Sequence, residues 1–114
     1  MQCNALAVAV VIEDEPAAAA LAIKAALSAA DACAVSAEQL GNQGLVFGFE
    51  LMARDLGRLL QELGRCSRLL PPSEANVKRL VYELQPDVEV HGTLHVTLVH
   101  AGPDQRLPRP RVPG

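Results

Sequence analysis

Residues 88–98 alternate strictly in polarity. Val88, Val90, Leu94, Val96 and Leu98 share one parity, and Glu89, His91, Thr93, His95 and Thr97 share the other. Successive side chains of a strand point to opposite faces, so this run predicts a long β-strand with one apolar and one polar face. Such a strand has to pair with others and cover its apolar side, which makes the chain a sheet-containing domain. Gly92 stands at an apolar-parity position, where a bend or bulge is expected. His100 has the parity of the apolar face, at the strand end.

With 114 residues there is room for one core and no second domain. Half of the residues are hydrophobic, too many for intrinsic disorder. No apolar run reaches the ~20 residues a spanning helix needs, so no membrane partner is expected. Net charge is -3, and the few aromatics (Phe47, Phe49, Tyr82) are set among mixed charges, which argues against nucleic acid. Cys3, Cys33 and Cys66 are odd in number and far apart, unlike a disulfide framework or a zinc knuckle. The apolar N-terminal stretch has no preceding Lys or Arg and is interrupted at Glu13, unlike a signal peptide. A cytoplasmic location is expected.

Ala5–Ile12 is apolar on both parities and rich in β-branched residues, which predicts a strand buried on both faces. The turn Glu13-Asp14-Glu15-Pro16 opens an alanine-rich helix from Ala17 to about Ala34, whose polar stripe is Lys24, Ser28 and Asp31. Its small side chains suit close packing on a sheet or on a second copy of the helix. Residues 34–40 fit either a helix tail or a strand, and Gly41-Asn42-Gln43-Gly44 reads as a turn. Leu45–Glu50 reads as a strand. Met52–Gly64 predicts an amphipathic helix with Met52, Leu56, Leu59, Leu60 and Leu63 inward and an Arg58–Glu62 pair outward. Arg65–Leu70 predicts a short edge strand. Ser73 is placed to cap a third helix whose stripe is Val77, Leu80, Val81 and Leu84.

The expected fold is α+β or α/β, with a ferredoxin-like βαβ(β)α core, an appended helix and a long amphipathic C-terminal strand. Residues 1–101 form one compact domain, and residues 102–114, rich in Pro and Arg, an extended mobile tail.

Two groups of residues are candidates for chemistry. Glu13, Asp14 and Glu15 follow the first strand, where hard oxygen ligands of α/β proteins hold divalent cations. Val10-Val11-Ile12-Glu13-Asp14-Glu15-Pro16 resembles the opening of response-regulator receiver domains, which implies a metal-dependent phosphotransfer switch. The matching phosphoacceptor place holds Glu50, and no Lys follows Lys78. Glu89 and His91, roughly 6–7 Å apart along a strand, are the second candidate metal ligands. A divalent metal at Glu13, Asp14, Glu89 and His91 is the one cofactor left open. Cys66, flanked by Arg65 and Arg68, is a candidate low-pKa thiol. Neither a Gly-x-Ser-x-Gly nucleophile turn nor a phosphate-binding loop occurs.

Lys24-Ala25-Ala26, Glu38-Gln39-Leu40-Gly41, Gly44-Leu45-Val46, Asp55-Leu56-Gly57 and Leu69-Leu70-Pro71-Pro72 occur in the order found in bacterial microcompartment shell proteins. Over about its first three-quarters the chain resembles that family, which implies a subunit of an assembly. Glu13-Asp14 stands where the family has Glu-Thr, and the strand from Val88 has no counterpart.

Few convergent polar groups and much small apolar surface point to a non-enzymatic domain that works through an interface, with itself or another protein. The alternative is a small enzyme or metal-dependent switch using the acidic turn Glu13-Asp14-Glu15 and the Glu89/His91 face.

Overall fold

A computed structural model describes residues 5–99. Cys3, His100 and the tail expected over 102–114 lie outside these residues. The elements run β1 (Ala5–Ile12), α1 (Pro16–Ala29), β2 (Cys33–Leu40), β3 (Gly44–Met52), α2 (Leu56–Cys66), β4 (Arg68–Leu69), α3 (Ser73–Glu83) and β5 (Glu89–Leu98). The class is α+β, a five-stranded mixed sheet in the order β2-β3-β5-β1-β4 with three helices.

The long amphipathic strand is not an appendage. β5 is the middle strand, parallel to β1 from Ala5↔His91 to Ile12↔Leu98 and antiparallel to β3 from Gly44↔Thr97 to Met52↔Glu89. Both registers run unbroken through Gly92, so it makes no bend or bulge. Its partner across the sheet is Phe49, and the buried Phe49 ring lies where a Cβ on residue 92 would sit. A glycine is required there by the aromatic ring rather than by backbone conformation.

One core joins Leu6, Val8, Val10 and Ile12 of β1, Leu45, Phe47, Phe49 and Leu51 of β3, and Val90, Leu94, Val96 and Leu98 of β5 to the buried sides of the helices. These strand residues share one face of the sheet. β1 therefore alternates instead of being buried on both faces: Ala5 and Ala7 are exposed and Ala9 and Val11 half-buried. The reason is that helices cover one side only, and the apolar residues on the other parity of β1 are mostly alanine, whose exposure costs little.

α1 buries Ala19, Ile23, Ala26 and Leu27, a narrow stripe that packs chiefly on α2, and leaves Leu21 70% exposed. α1 ends at Ala29, short of the Ala34 expected, and residues 34–40, ambiguous by pattern, belong to the edge strand β2, exposed at all eight of its positions. Gly41, at φ +62°, turns the chain into β3, and Leu98 N–H donates to Gln43 O at 2.8 Å, tying the hairpin to β5.

The second helix starts later than its pattern predicts. Met52 ends β3, and Ala53–Asp55 form a single 3-10 turn before α2. Ala53 N–H donates to Val88 O (2.8 Å) and Arg54 N–H to Pro86 O (3.1 Å), so the turn is held by the lead into β5. Gly64 lies within α2, which ends at Cys66 with Ser67 Oγ donating to Leu63 O at 2.6 Å. Glu62 pairs with Arg65 (3.8 Å) rather than Arg58.

Ser73 does not cap α3. It is the first helical residue, buried to 2%, and its hydroxyl accepts from Ala9 N–H (2.8 Å) and donates to Ala9 O (3.2 Å). The two-residue β4 covers only Val10 and Val11 of β1, and Ala9 is completed by Leu70 N–H, which donates to its carbonyl at 2.8 Å, together with the Ser73 hydroxyl. Val81 of the expected stripe is half exposed, and Tyr82 is 93% exposed.

Candidate functional site

The polar parity of β5 projects from the uncovered face of the sheet, together with the second parity of its neighbours. The strand registers set four rows across β2, β3, β5 and β1: Cys33, Glu50, His91, Ala5; then Ser36, Gly48, Thr93, Ala7; then Glu38, Val46, His95, Ala9; then Leu40, Gly44, Thr97, Val11. Small residues dominate the middle of this face. Gly48 N–H donates to Ser36 Oγ at 3.1 Å beside the β2 bulge between Ala34 and Ser36.

Charge is concentrated in the first row. His91 Nδ1 is 3.2 Å from Glu50 Oε2, and His91 Nε2 is 3.5 Å from Glu89 Oε1. The ring is thus sandwiched between two carboxylates, one directly across on β3 and one two residues back on β5. All three side chains reach solvent. β1, β2, β3 and β5 contain no Lys or Arg; Glu38, Glu50 and Glu89 stand on this face, with Arg68 of β4 beside Val11 at the other end. Glu50 belongs to the arrangement on equal terms with Glu89. In the sequence Glu50 stands out only as the matching phosphoacceptor place, because the register that brings it to His91 is a tertiary property.

The structure separates the four predicted metal ligands into two places. Glu89 and His91 stand together beside Ala5, at the beginning of β1. Glu13 and Asp14 follow Ile12 at its end, ~23 Å away at a strand rise of ~3.3 Å per residue. Asp14 Oδ1 accepts from Glu15 N–H at 2.9 Å, a local turn interaction that introduces α1. Among the described residues no three His, Cys, Asp or Glu side chains gather closely enough to hold a metal ion. Glu50, which stands at the matching phosphoacceptor place of the receiver resemblance, sits on an antiparallel strand at the end of the sheet remote from Glu13.

A hollow of about 1030 Å³ lies near the far end of the sheet, with Glu15, Asn42, Gln43, His95 and Thr97 among its lining residues. It opens broadly to solvent and includes neither Glu13 nor Asp14. A second hollow, of about 420 Å³, lies beneath Leu69–Pro72 and α3.

Cys66 is not the activated thiol that Arg65 and Arg68 suggested. Burial pushes its pKa up, and the Glu62 carboxylate adds to the rise against a lowering contact from Ser67. Arg65 is turned toward Glu62. The two described cysteines are free, Cys33 exposed and Cys66 half-buried.

Among the described residues no helix is long and apolar enough to cross a membrane. Comparison with protein-family models, with curated proteins and with solved structures gives no match to this chain.

Proposed function

We propose that this chain is a non-enzymatic interaction module whose uncovered sheet face is the working surface, and that the surface is covered by a second copy of the same chain. The observation that carries this is the one-sided helix layer: the sheet exposes a face of small Ala, Gly, Ser, Thr and Val side chains, interspersed with Glu38, Glu50, Glu89, His91 and His95, next to a core that is complete without it.

The size of the face agrees with this reading. Four strands at ~4.8 Å spacing and eight residues at ~3.3 Å rise span about 500 Å² in projection. The relief of the side chains brings the accessible area toward the ~800 Å² per partner of a standard interface. β5 lies at the centre of the strand order, so a two-fold axis along it lays β3 of each copy over β1 of the other, and β2 over the two-residue β4. Two such sheets packed ~10 Å apart form an aligned sandwich. The edge strand β2, exposed along its length and paired on one side only, supplies a secondary place for strand addition. The βαβ(β)α element order of ferredoxin-like units, which commonly assemble edge to edge, is an analogy for the β2 edge alone. A cytoplasmic setting belongs to the same reading and suits the free Cys33 and Cys66 thiols.

Sedimentation velocity of the full chain tests the assembly. A dimer is expected, and Thr93→Arg, which places a charged side chain in the middle of the face, should return it to monomer with its circular dichroism intact. A wild-type chain that sediments as a monomer at ~100 μM, far above the dissociation constants of specific dimers, removes the reading.

A further inference from the structure

We propose that the outer edge of β2 binds an extended basic segment of a partner protein, which adds to the five-stranded sheet as a further strand. The inference rests on the reading of β2 as a place for strand addition, and not on the dimer.

The hydrogen-bond polarity of the sheet shows which main-chain groups point outward. Leu98 N–H donates to Gln43 O at 2.8 Å and Val99 N–H to Ile12 O at 2.9 Å. The core-facing residues of β5 therefore turn their main-chain groups to β3, and its open-face residues turn theirs to β1. By the same register Leu45, Phe47 and Phe49 face β5, while Gly44, Val46 and Gly48 face β2. The bond from Gly48 N–H to Ser36 Oγ agrees with this. Glu38 and Leu40 then turn inward to β3. Ala37 and Gln39 direct N–H and C=O outward, where no strand lies among the described residues.

The opposite edge of the sheet is closed. β4 pairs with Val10 and Val11, Leu70 N–H and the Ser73 hydroxyl serve Ala9, and Asn76 Nδ2 donates to Ala7 O at 3.4 Å. On β2 all eight residues are exposed, and none is a Pro, Lys or Arg that would discourage pairing. Its irregularity is confined to the bulge between Ala34 and Ser36, so residues 36–40 form a regular template.

The alternation of β2 sets the chemistry of the partner. Residues bonded to Ala37 and Gln39 share their helix-side face, where Ala37 adjoins buried Phe47, and β-branched apolar side chains fit there. The intervening residues come beside Glu38 on the open face. Among the described residues Glu38 has no ion-pair partner, so Lys or Arg complements it as a cross-strand neighbour. A second copy of β2 brings another Glu38 and no cation, which disfavours self-pairing along this edge.

The test titrates the isotope-labelled full chain with acetyl-Lys-Val-Lys-Val-Lys-Val-Lys-amide, read by NMR amide exchange and by sedimentation velocity. Without peptide the Ala37 and Gln39 amides should exchange faster than those of Glu38 and Leu40. Saturating peptide should slow the first two at least tenfold. A peptide N-methylated at its valines lacks the donors that face β2 and should not bind. Glu38→Lys should weaken the lysine peptide about tenfold and favour an analogue with Glu in place of Lys. Ala37→Pro removes an outward donor at an edge position that tolerates proline, and should abolish binding with circular dichroism unchanged. Should that variant unfold, the N-methylated peptide poses the same question to the wild-type chain.

Unchanged exchange at Ala37 and Gln39 in ~2 mM peptide overturns the inference, as does equal binding of the N-methylated peptide. Protection of these amides without peptide also overturns it. If that protection rises with protein concentration the edge belongs to a second copy, and if it is lost in Arg109→Ala the edge belongs to the chain's own residues 106–113. A monomer that binds the peptide removes the dimer and leaves this inference standing. A dimer that ignores the peptide does the reverse.

Discussion

The Ser73 hydroxyl is joined to both backbone polar groups of Ala9, accepting from its N–H at 2.8 Å and donating to its carbonyl at 3.2 Å. It thereby extends the sheet by one residue of side chain, continuing the edge where β4 gives out. Leu70 N–H also donates to Ala9 O, so this carbonyl is shared between the strand end and the helix start.

Removing that hydroxyl leaves the Ala9 N–H without this partner in a half-buried setting. Ser73→Ala is expected to cost about 1–3 kcal/mol of stability, read as a shift in the urea midpoint with an unchanged slope. Ser73→Thr, which keeps the hydroxyl but adds a methyl in a buried position, separates lost bonding from packing. A midpoint unchanged in Ser73→Ala removes the bracing role.

Gly92 and Phe49 form one packing unit. Gly92→Ala puts a methyl into the Phe49 ring, and overpacking of this kind costs about 1–3 kcal/mol. In a Phe49→Leu background the same change should cost less, because the smaller side chain vacates that space. The double-mutant cycle is therefore expected to be non-additive, and additive costs would mean that the ring yields elsewhere.

The two described cysteines should differ in reactivity. Under native conditions an alkylating reagent is expected to label exposed Cys33 well before half-buried Cys66, as peptide mapping would show. The raised pKa of Cys66 also has a consequence for stability. Below the ordinary thiol pKa both folded and unfolded chains hold the neutral form, and any contribution is fully present. As pH rises through that value the unfolded thiol ionises first, so stability falls toward the alkaline side. Cys66→Ser should lessen this alkaline loss, measured as melting temperature against pH.

The helix layer provides a control surface. Tyr82 is 93% exposed and Leu21 70% exposed, both on the side opposite the open face. Tyr82→Ser and Leu21→Gln should leave the sedimentation coefficient of the assembly unchanged, with stability within about 0.5 kcal/mol of the parent. Dissociation caused by either change would relocate the contact surface to the helices.

Much of the secondary structure was legible locally. The alternation of residues 88–98 gave β5 its two faces, the Gly41–Gly44 turn led into β3, and the leucines of residues 56–63 marked α2. Ala5–Ile12 was legible as a strand but not as a one-sided one, since alanine satisfies an exposed and a buried position equally well. Residues 33–40 carry no period at all, because an edge strand exposed on both faces places no demand on either parity. Of the candidate site, Glu89 and His91 were visible through their two-residue spacing. Glu50 was not linked to them, being 41 positions from His91 in sequence and adjacent only through strand pairing.

The amino-acid order alone marked most of the helices and strands, β2 excepted, since period and turn chemistry act between residues a few positions apart. The tertiary arrangement decided what each residue serves. Inserting β5 between β1 and β3 made the last strand the centre of the sheet, set Phe49 over Gly92 and Glu50 beside His91, and placed Ser73 on the backbone of Ala9. Those partnerships join residues brought together by strand pairing and packing, where distances are fixed by the whole core and no local pattern carries them.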